Sequence, residues 1–384
     1  MKSIGLAGSA AVALLVVVGG CSSSTTSAST TTSSPSSTAA PLPYQHPGPD
    51  PVGVTTLDLG SAGPVFGERL ATVYYPADPS TVGGHPPFSY TEASTLPTAL
   101  QGILPAKYNT TATLAAYSEA PASTMGPYPV VLFSHGYGGE RLYYSNLLVG
   151  IASWGYVVVS ADYLERGLAA QALGSKVMPT AATDSGIMQS SLTATLAASG
   201  SATSVLRGVA DPNRVAAVGH SAGGQTAFDA LNRPRVSTAI GWAPEGPAGK
   251  PSGKPVMLIG AEGDQVVPPA SVKRTYNSFP GPKSLVEISG EGHNTYTDIC
   301  VGIRQGGGLI SYAVASHLVS AKLAKLGING CQSSDLPAAQ FWPIVQFYTV
   351  FQLQDQFGGK GRSTVPTPRP GQFPGFTVTV TQQS

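Results

Sequence analysis

Residues 214–224 decide the fold and read Arg-Val-Ala-Ala-Val-Gly-His-Ser-Ala-Gly-Gly. Their first part, residues 214–218, is a short apolar run of the kind that forms a strand buried inside a sheet. A helix is predicted directly afterwards, over residues 222–231. Gly219-His220-Ser221-Ala222-Gly223 therefore lies between a strand and a helix, where a Gly-x-Ser-x-Gly motif makes a strained turn that exposes the serine hydroxyl. We predict Ser221 as a nucleophile on an α/β sheet.

Strand and helix patterns alternate on both sides of this motif. Strands are predicted at residues 55–59, 69–75, 129–134, 156–161, 238–242, 256–259 and 284–288, and helical patterns at 141–153, 183–209, 270–279, 309–326 and 338–353. Such alternation favours right-handed crossovers between parallel strands. The expected architecture is a mostly parallel central sheet flanked by helices.

A serine hydroxyl is a poor nucleophile at neutral pH unless a base is held against it. Among the six histidines, His293 lies in Ser289-Gly290-Glu291-Gly292-His293-Asn294, a glycine-flanked loop that directly follows a predicted strand. A side chain in such a loop can reach over the end of the sheet. The other histidines suit other places: His46 a tether, His85 a proline-rich segment, His135 the start of a glycine loop, His220 the serine turn and His317 the middle of a predicted helix. We predict His293 as the base.

The acid that orients this histidine is expected after the strand at residues 256–259. Asp264 lies in the turn that follows this strand, before Val266. The competing carboxyl groups are those of Glu262, Glu291 and Asp162. The chain order Ser221, Asp264, His293 is the order found in α/β-hydrolases, which favours Asp264.

Acyl transfer also needs donors for the developing oxyanion, usually two backbone amides. One is expected from Ala222, directly after the nucleophile. The second is expected from Ser134-His135-Gly136-Tyr137-Gly138-Gly139, where glycines let the backbone turn its amides inward, and we assign it to Tyr137. The alternative is that this loop is only a tight strand-to-helix turn.

Composition excludes several classes of protein. The chain of 384 residues carries 21 basic and 20 acidic residues and only 11% charged residues, against roughly 25% on average, so no nucleic-acid partner is expected. The 42% hydrophobic content excludes global disorder. The 46 glycines and 33 prolines indicate many turns. Histidine and cysteine do not cluster at metal-ligand spacing, so we expect no zinc site.

The N-terminus has the pattern of a secretory signal. Lys2 precedes an apolar stretch over residues 4–18, which is shorter than the roughly 20 residues of a membrane-spanning helix. Val18-Gly19-Gly20-Cys21 resembles a bacterial lipobox, which implies cleavage before Cys21, lipidation of that cysteine and attachment to the extracytoplasmic face of the cell membrane. The alternative is a plain secreted protein. If Cys21 is lipidated, Cys300 and Cys331 remain as an even pair, which predicts one disulfide in an oxidising compartment.

The predicted organisation has four parts. A signal peptide covers residues 1–20, and a Ser/Thr-rich tether covers 21–50. The catalytic domain covers 51–357 and includes a surface excursion at 78–126, with a short helix near residues 97–104. Residues 358–384 are expected to form a loose tail. The excursion is a candidate lid.

Several pieces of the chain carry a family resemblance. They are Tyr75-Pro76-Ala77, Phe133-Ser134-His135-Gly136, residues 211–224, residues 260–264, and Gly292-His293-Asn294 with Thr297-Asp298-Ile299-Cys300 after it. Together they resemble serine α/β-hydrolases of the platelet-activating factor acetylhydrolase and dienelactone hydrolase group, and bacterial cutinase-like polyester hydrolases are also similar. The resemblance implies the α/β-hydrolase fold and a carboxylic ester hydrolase without metal or organic cofactor. Residues 78–126 and the tail have no counterpart in it.

The expected substrates are neutral esters of short to medium acyl chain, among them lipids or polyester-like molecules. Tyr143, Tyr144 and Trp242 lie near the predicted mouth and could form a substrate-binding wall, or they could be ordinary core packing. Two alternative functions stay open: a serine peptidase of the same fold and a non-catalytic, lipid-anchored binding protein. The first is disfavoured because no propeller-like domain precedes the catalytic part, and the second because a serine, an acid and a base are all present.

Overall fold

The computed structural model describes residues 42–174, 177–319, 321–359 and 363–384. They lie within one compact unit, Ala39–Ser384. The predicted signal peptide at residues 1–20, the predicted lipidation site Cys21 and the predicted tether up to residue 41 lie outside the described residues. What the sequence predicts for those segments stays a prediction.

Eleven strands of the described residues form one sheet. They are β1 (Val52–Ser61), β2 (Glu68–Pro76), β3 (Pro87–Thr91), β4 (Thr111–Ser118), β5 (Tyr128–Ser134), β6 (Val157–Ala161), β7 (Ala210–His220), β8 (Val236–Trp242), β9 (Val256–Ala261), β10 (Lys283–Ile288) and β11 (Val378–Gln383). Their spatial order is β11-β10-β9-β8-β7-β5-β6-β2-β1-β4-β3. The block from β6 to β10 is parallel throughout, and β2 and β11 flank it in the antiparallel sense. The predicted mostly parallel sheet is confirmed.

Helices cover both faces of this sheet. They are α1 (Ser145–Ala152), α2 (Leu168–Leu173), α3 (Asp184–Gly200), α4 (Ala222–Ala230), α5 (Pro269–Ser278), α6 (Ile299–Arg304), α7 (Gly308–Ala315), α8 (Ala321–Gly327) and α9 (Ala338–Phe357). Residues of α1 and α9 pack on one face, and residues of α3, α4 and α5 pack on the other. Among the described residues, no helix combines the length and the apolar character needed to cross a membrane.

Strand β5 shows why the central strands are unbroken apolar runs. Val131 and Phe133 belong to the core under α1 and α9, whereas Val130 and Leu132 belong to the core under α3 and α4. Side chains alternate between the faces of a strand, so a strand that is covered on both sides must be apolar at every position. Because these strands run parallel, their carboxyl ends meet at one edge of the sheet, and the candidate site lies at that edge.

The predicted single helix over residues 309–326 is wrong. Helix α7 ends at Ala315, and α8 begins only at Ala321. Between them, His317 adopts a left-handed φ of 53°, and the amide of Leu318 donates to the carbonyl of Ala313 at 2.9 Å. This pairing is the Schellman arrangement that terminates a helix. His317 is thus exposed in a turn and does not lie in the middle of a helix.

The segment at residues 78–126 is more than a surface excursion. Its strands β3 and β4 pair antiparallel, and β4 extends the sheet by pairing with β1. Leu114 and Ala116 are the inward-facing positions of β4, but alternating threonine and alanine hide this period in the sequence. The short helix expected near residues 97–104 is present as a 3₁₀ helix, Thr98–Ile103, directly after Pro97.

The C-terminal residues do not form a loose tail. Strand β11 pairs antiparallel with β10 along its length, from Val378 opposite Ile288 to Gln383 opposite Lys283. Phe373 is buried as well. The Val-Thr-Val-Thr alternation of β11 is the ordinary pattern of a half-buried edge strand.

The folded part begins before residue 51, earlier than the predicted tether boundary. The ring of Tyr44 packs edge-on against that of Trp154, with centroids 4.9 Å apart. Gln346 Nε2 donates to the carbonyls of Tyr44 and His46 at 2.8 and 2.6 Å, and the amide of Gly48 donates to Ser153 Oγ at 2.7 Å. Residues 42–50 are therefore tied to α1 and α9.

Candidate active site

Ser221 lies at the turn between β7 and α4 in a strained backbone conformation. Its φ of 56° and ψ of −123° are sparsely populated by residues other than glycine. A Cβ on Gly219 would come within 1.9 Å of the carbonyl oxygen of Gly223, and a Cβ on Gly223 within 1.9 Å of that of Ser134. The turn is thus closed so tightly that only glycine fits at both positions. This geometry is that of a nucleophile elbow.

Asp264 and His293 are brought together as the sequence predicts. His293 Nδ1 lies 2.7 Å from Asp264 Oδ2, and both side chains are buried. The other carboxylate oxygen of Asp264 accepts from the amides of Val266 and Val267, each at 2.8 Å. The Asp264 carboxylate is therefore held from both sides, and the imidazole of His293 is engaged through Nδ1.

The competing carboxyl groups have other surroundings. Glu262 is exposed. Glu291 accepts a hydrogen bond from Thr295 Oγ1 at 3.0 Å, and Asp162 forms an ion pair with Arg141 at 3.0 Å. Asp264 remains the acid that contacts His293.

The loop that follows β5 lies directly against Ser221. A Cβ on Gly136 would come 3.0 Å from Ser221 Cβ. Gly138 has a φ of 71°, and its amide donates to the carbonyl of Arg166 at 2.8 Å. Tyr137, between these glycines, projects a side chain that is 68% exposed. The roles assigned to the amides of Tyr137 and Ala222 as oxyanion donors remain predictions.

A buried histidine and an arginine hold this loop. Burial lowers the pKa of His135 to about 3, so its imidazole is neutral. Its Nε2 lies 3.0 Å from the amide of Tyr163 and accepts from it, and Nδ1 therefore carries the proton that is donated to the carbonyl of Gly136 at 2.8 Å. Arg166 donates to the carbonyl of His135 at 3.1 Å and to Ser134 Oγ at 2.6 Å.

Asn329 is a residue of the site that the sequence did not reveal. Its Oδ1 accepts from the amide of His293 at 2.9 Å and from the amide of Gln265 at 3.0 Å. Its Nδ2 donates to the carbonyl of Gly263 at 3.2 Å. One buried side chain thus connects the loop of the acid to the loop of the base. The only signal for it in the sequence is its position two residues before Cys331.

The predicted pairing of Cys300 with Cys331 is confirmed as a disulfide, with Cα atoms 4.6 Å apart. The segment before Cys331 packs tightly on the base loop, because a Cβ on Gly292 would come 2.4 Å from the amide nitrogen of Gly330. Gly330 itself has a φ of 90°. The disulfide therefore closes next to both Asn329 and His293.

Three aromatic residues considered for a substrate wall lie in the core. Tyr143, Tyr144 and Trp242 are 1%, 2% and 0% exposed. The indole of Trp242 donates to Thr349 Oγ1 at 3.0 Å, and the hydroxyl of Tyr143 donates to a carboxylate oxygen of Glu92 at 3.1 Å. Their placement is that of core packing, which was the alternative interpretation. The prediction that they form a substrate-binding wall is therefore wrong.

Comparison with known proteins identifies the fold. Residues 106–242 match the family model described as Chlorophyllase. This match contains the loop after β5 and the Ser221 turn and ends before Asp264. A similar solved structure is that of a ferulic acid esterase from Streptomyces cinnamoneus, at 20% sequence identity and a TM-score of 0.58, covering 90% of this chain and 99% of that chain. The protein has the α/β-hydrolase fold.

Proposed function

We propose that this protein is a serine carboxylic ester hydrolase that acts through Ser221, His293 and Asp264. The observation that carries the proposal is the strained Ser221 turn at the same sheet edge as the hydrogen-bonded pair of His293 and Asp264. The Chlorophyllase family match and the structural likeness to a protein described as a ferulic acid esterase support it. Membership of the narrower group of platelet-activating factor acetylhydrolases and dienelactone hydrolases is part of this proposal.

The mechanism has two steps. His293 Nε2 takes the proton of Ser221 Oγ while this oxygen attacks the ester carbonyl carbon, and Asp264 keeps Nδ1 protonated and stabilises the imidazolium. The amides of Tyr137 and Ala222 donate to the oxyanion. His293 then gives its proton to the leaving alcohol, and an acyl-enzyme remains. Water attacks this ester by the same route and releases the carboxylic acid and free Ser221.

The proposed substrates are neutral esters with short to medium acyl chains, among them lipids or polyester-like molecules. Tyr137 on the loop after β5 and Val266 on the acid loop are 68% and 38% exposed. An exposed apolar side chain on each of two site loops favours a partly apolar substrate. The low content of charged residues, 11%, points the same way.

The proposed location is the extracytoplasmic face of the cell membrane. The support is the sequence at Cys21, which would carry the lipid, together with the Ser/Thr-rich residues that follow it. An anchored esterase on a flexible tether can act on esters at or near the membrane surface.

The proposal is tested by fluorophosphonate labelling and by paired substrates. The wild-type protein should be labelled, and the Ser221→Ala variant should lose both the label and roughly 10⁴- to 10⁶-fold of its turnover of p-nitrophenyl butyrate, because triad residues act as a unit. His293→Ala should be similarly severe, and Asp264→Asn somewhat less so.

The matching anilide separates an esterase from a peptidase. The expected result is rapid ester cleavage with little cleavage of p-nitrobutyranilide. Cleavage of both at similar rates would favour a serine peptidase. A folded wild-type protein with neither label nor turnover would favour a binding protein.

A further inference from the structure

We propose that Tyr144 and His220 are positioning residues, forming a buried hydrogen-bond chain that holds the loop after β5 and the base loop in register with Ser221. The inference rests on the proposed esterase function and adds residues that neither touch the substrate nor belong to the triad. Both side chains are 2% exposed.

The chain has three consecutive links. The amide of Gly136 donates to Tyr144 Oη at 3.3 Å, Tyr144 Oη lies 2.9 Å from His220 Nδ1, and His220 Nε2 lies 3.0 Å from the carbonyl oxygen of His293. The rings of His220 and His293 also pack together, with centroids 4.6 Å apart. Three segments that are distant in the sequence are thereby joined.

The direction of the chain follows from counting protons. Tyr144 Oη accepts from Gly136 and has one proton, which it donates to His220 Nδ1. Burial lowers the pKa of His220 well below its usual value, so the imidazole is neutral. With Nδ1 acting as an acceptor, the single ring proton is on Nε2 and is donated to the carbonyl of His293. Every donor in the chain has an acceptor.

The links end at groups that the proposed reaction needs in fixed places. Gly136 touches Ser221 and is followed by the predicted oxyanion donor Tyr137. His220 directly precedes Ser221 in the strained turn. His293 carries the base, and its backbone is the far end of the chain. A fully satisfied buried network of this kind fixes relative positions, because a broken link leaves a desolvated group without a partner.

Tyr144→Phe is the sharpest test, since it removes one oxygen and keeps the ring that packs on Phe133 at a centroid distance of 4.7 Å. It leaves the amide of Gly136 and Nδ1 of His220 unpaired. If the displaced groups raise the activation barrier by the free energy that an unpaired buried polar group usually costs, kcat should fall by about 10- to 100-fold. KM should change little, because the buried hydrogen-bond chain of Tyr144 and His220 is not expected to contact the substrate.

Tyr75→Phe is the matched control. Tyr75 is also fully buried, and its hydroxyl also donates to a carbonyl, that of Ala120 at 2.7 Å, but it lies in β2 away from the site. It should lose stability and keep its kcat. Equal losses of kcat in Tyr75→Phe and Tyr144→Phe, or full kcat in Tyr144→Phe, would overturn the inference.

Two substitutions of His220 separate the links. Gln places an amide nitrogen near the position of Nε2, so His220→Gln keeps the donor to His293 and loses the acceptor for Tyr144. Combined with Tyr144→Phe, it should lose little more kcat than the worse single variant, because both break the same link. Multiplying losses would contradict a shared link. His220→Asn keeps the acceptor and breaks the link to His293, and it should also lower kcat.

A measurement that does not depend on turnover completes the test. In ¹⁵N NMR spectra of the full protein at pH 7, His220, assigned by loss of its signals in His220→Gln, should be neutral with its proton on Nε2. A proton on Nδ1 would overturn the chain. A wild-type protein without label or ester turnover would overturn the proposed function itself, whereas an active protein with unchanged Tyr144→Phe kinetics would overturn only this inference.

Discussion

Asn329 illustrates how much a single amide side chain can hold in this site. Its Oδ1 accepts from the backbones of both Gln265 and His293, at 3.0 and 2.9 Å. Asp264 and His293 must keep a 2.7 Å hydrogen bond although they are carried by separate loops. A side chain that ties the two loops by their backbones limits their relative motion. At the residue scale, therefore, the site depends on groups that perform no chemistry.

Replacing Asn329 should affect both stability and turnover. Asn329→Ala leaves two amides without their acceptor, which predicts a loss of about 1–3 kcal/mol in the free energy of unfolding. It should also lower kcat more than it changes KM, because the acid–base pair is displaced. Urea unfolding and ester kinetics measure the two effects. Asn232→Ala, at an exposed position whose Nδ2 donates to the carbonyl of Lys250 at 3.3 Å, is the control. Normal kcat in Asn329→Ala would contradict the positioning role.

Asp298 makes stability depend on pH. Burial raises the pKa of this carboxyl from 3.8 to about 6, although Asn146 and Tyr90 donate hydrogen bonds to it. Between these two pKa values the folded protein binds more protons at Asp298 than the unfolded chain does. Stability from this group is therefore present at low pH and is lost as the pH rises through about 4 to 6.

The comparison with Asp298→Asn isolates this effect, because the variant does not titrate at the position. The free energy of unfolding of the wild type, minus that of the variant, should fall by about 2 kcal/mol between pH 4 and pH 7. Urea titrations at four pH values measure it. A difference that stays constant across this range, or rises, would contradict the expectation.

At the scale of elements, central strands were predictable and edge strands were not. Strands β5, β7 and β9 carry continuous apolar runs, because helices cover both of their faces. Strands β3, β4 and β11 lie at or near the edges and contain many threonines and serines. Half-covered strands need only alternate positions to be apolar, and a short alternation is difficult to separate from a loop.

The order of strands and helices also explains which residues of the candidate site the sequence predicts. Ser221, Asp264 and His293 each follow a strand of the parallel block, so their positions could be read from the order of predicted elements. Asn329 and Tyr144 reach their partners through hydrogen bonds between distant segments. No local period or motif marks such bonds. The sequence therefore predicted the groups proposed for chemistry but not those that hold them.

The disulfide closes the segment that carries Asn329. Cys300 and Cys331 are 31 positions apart, for which the chain-entropy model gives about 4 kcal/mol. Cys300→Ser/Cys331→Ser should lower the unfolding free energy by roughly this amount or less. It should also lower kcat, because the segment carrying Asn329 loses its tie beside the base loop. Calorimetry and ester kinetics measure both, with Cys21→Ser as a control that keeps this disulfide. Two free thiols in the exported protein would contradict the prediction.

At the scale of the whole molecule, the described chain starts at the opposite edge of the sheet from the site. His46 and Gly48 are bound to Trp154 and Ser153, which lie directly before β6, at the amino ends of the parallel strands. Ser221, Asp264 and His293 follow the carboxyl ends of β7, β9 and β10. A central strand such as β5, with 7 residues, is about 23 Å long. The described chain therefore begins on the side of the sheet away from Ser221, Asp264 and His293.

If Cys21 carries a lipid as proposed, we predict that the number of residues between it and residue 42 decides which substrates the protein reaches. A flexible chain of about 20 residues has a root-mean-square length of about 25 Å, comparable with the depth of the sheet. Deleting residues 22–36 reduces this length to about 12 Å. In lipid vesicles carrying the lipidated protein, turnover of water-soluble p-nitrophenyl butyrate should be unchanged by the deletion. Turnover of a butyrate ester embedded in the same vesicles should fall by about tenfold or more, because the site can no longer turn to the surface.

A Gly/Ser segment of the deleted length should restore the original rate on the embedded ester, since only reach and flexibility are required of the tether. Cys21→Ser should move the protein from the membrane fraction to the medium and leave its activity on the soluble ester unchanged. Equal turnover of the embedded ester with long and short tethers would show that the site already faces the membrane. The anchor would then have to hold the molecule in an orientation that the attachment of residues 42–50 at the amino edge does not favour.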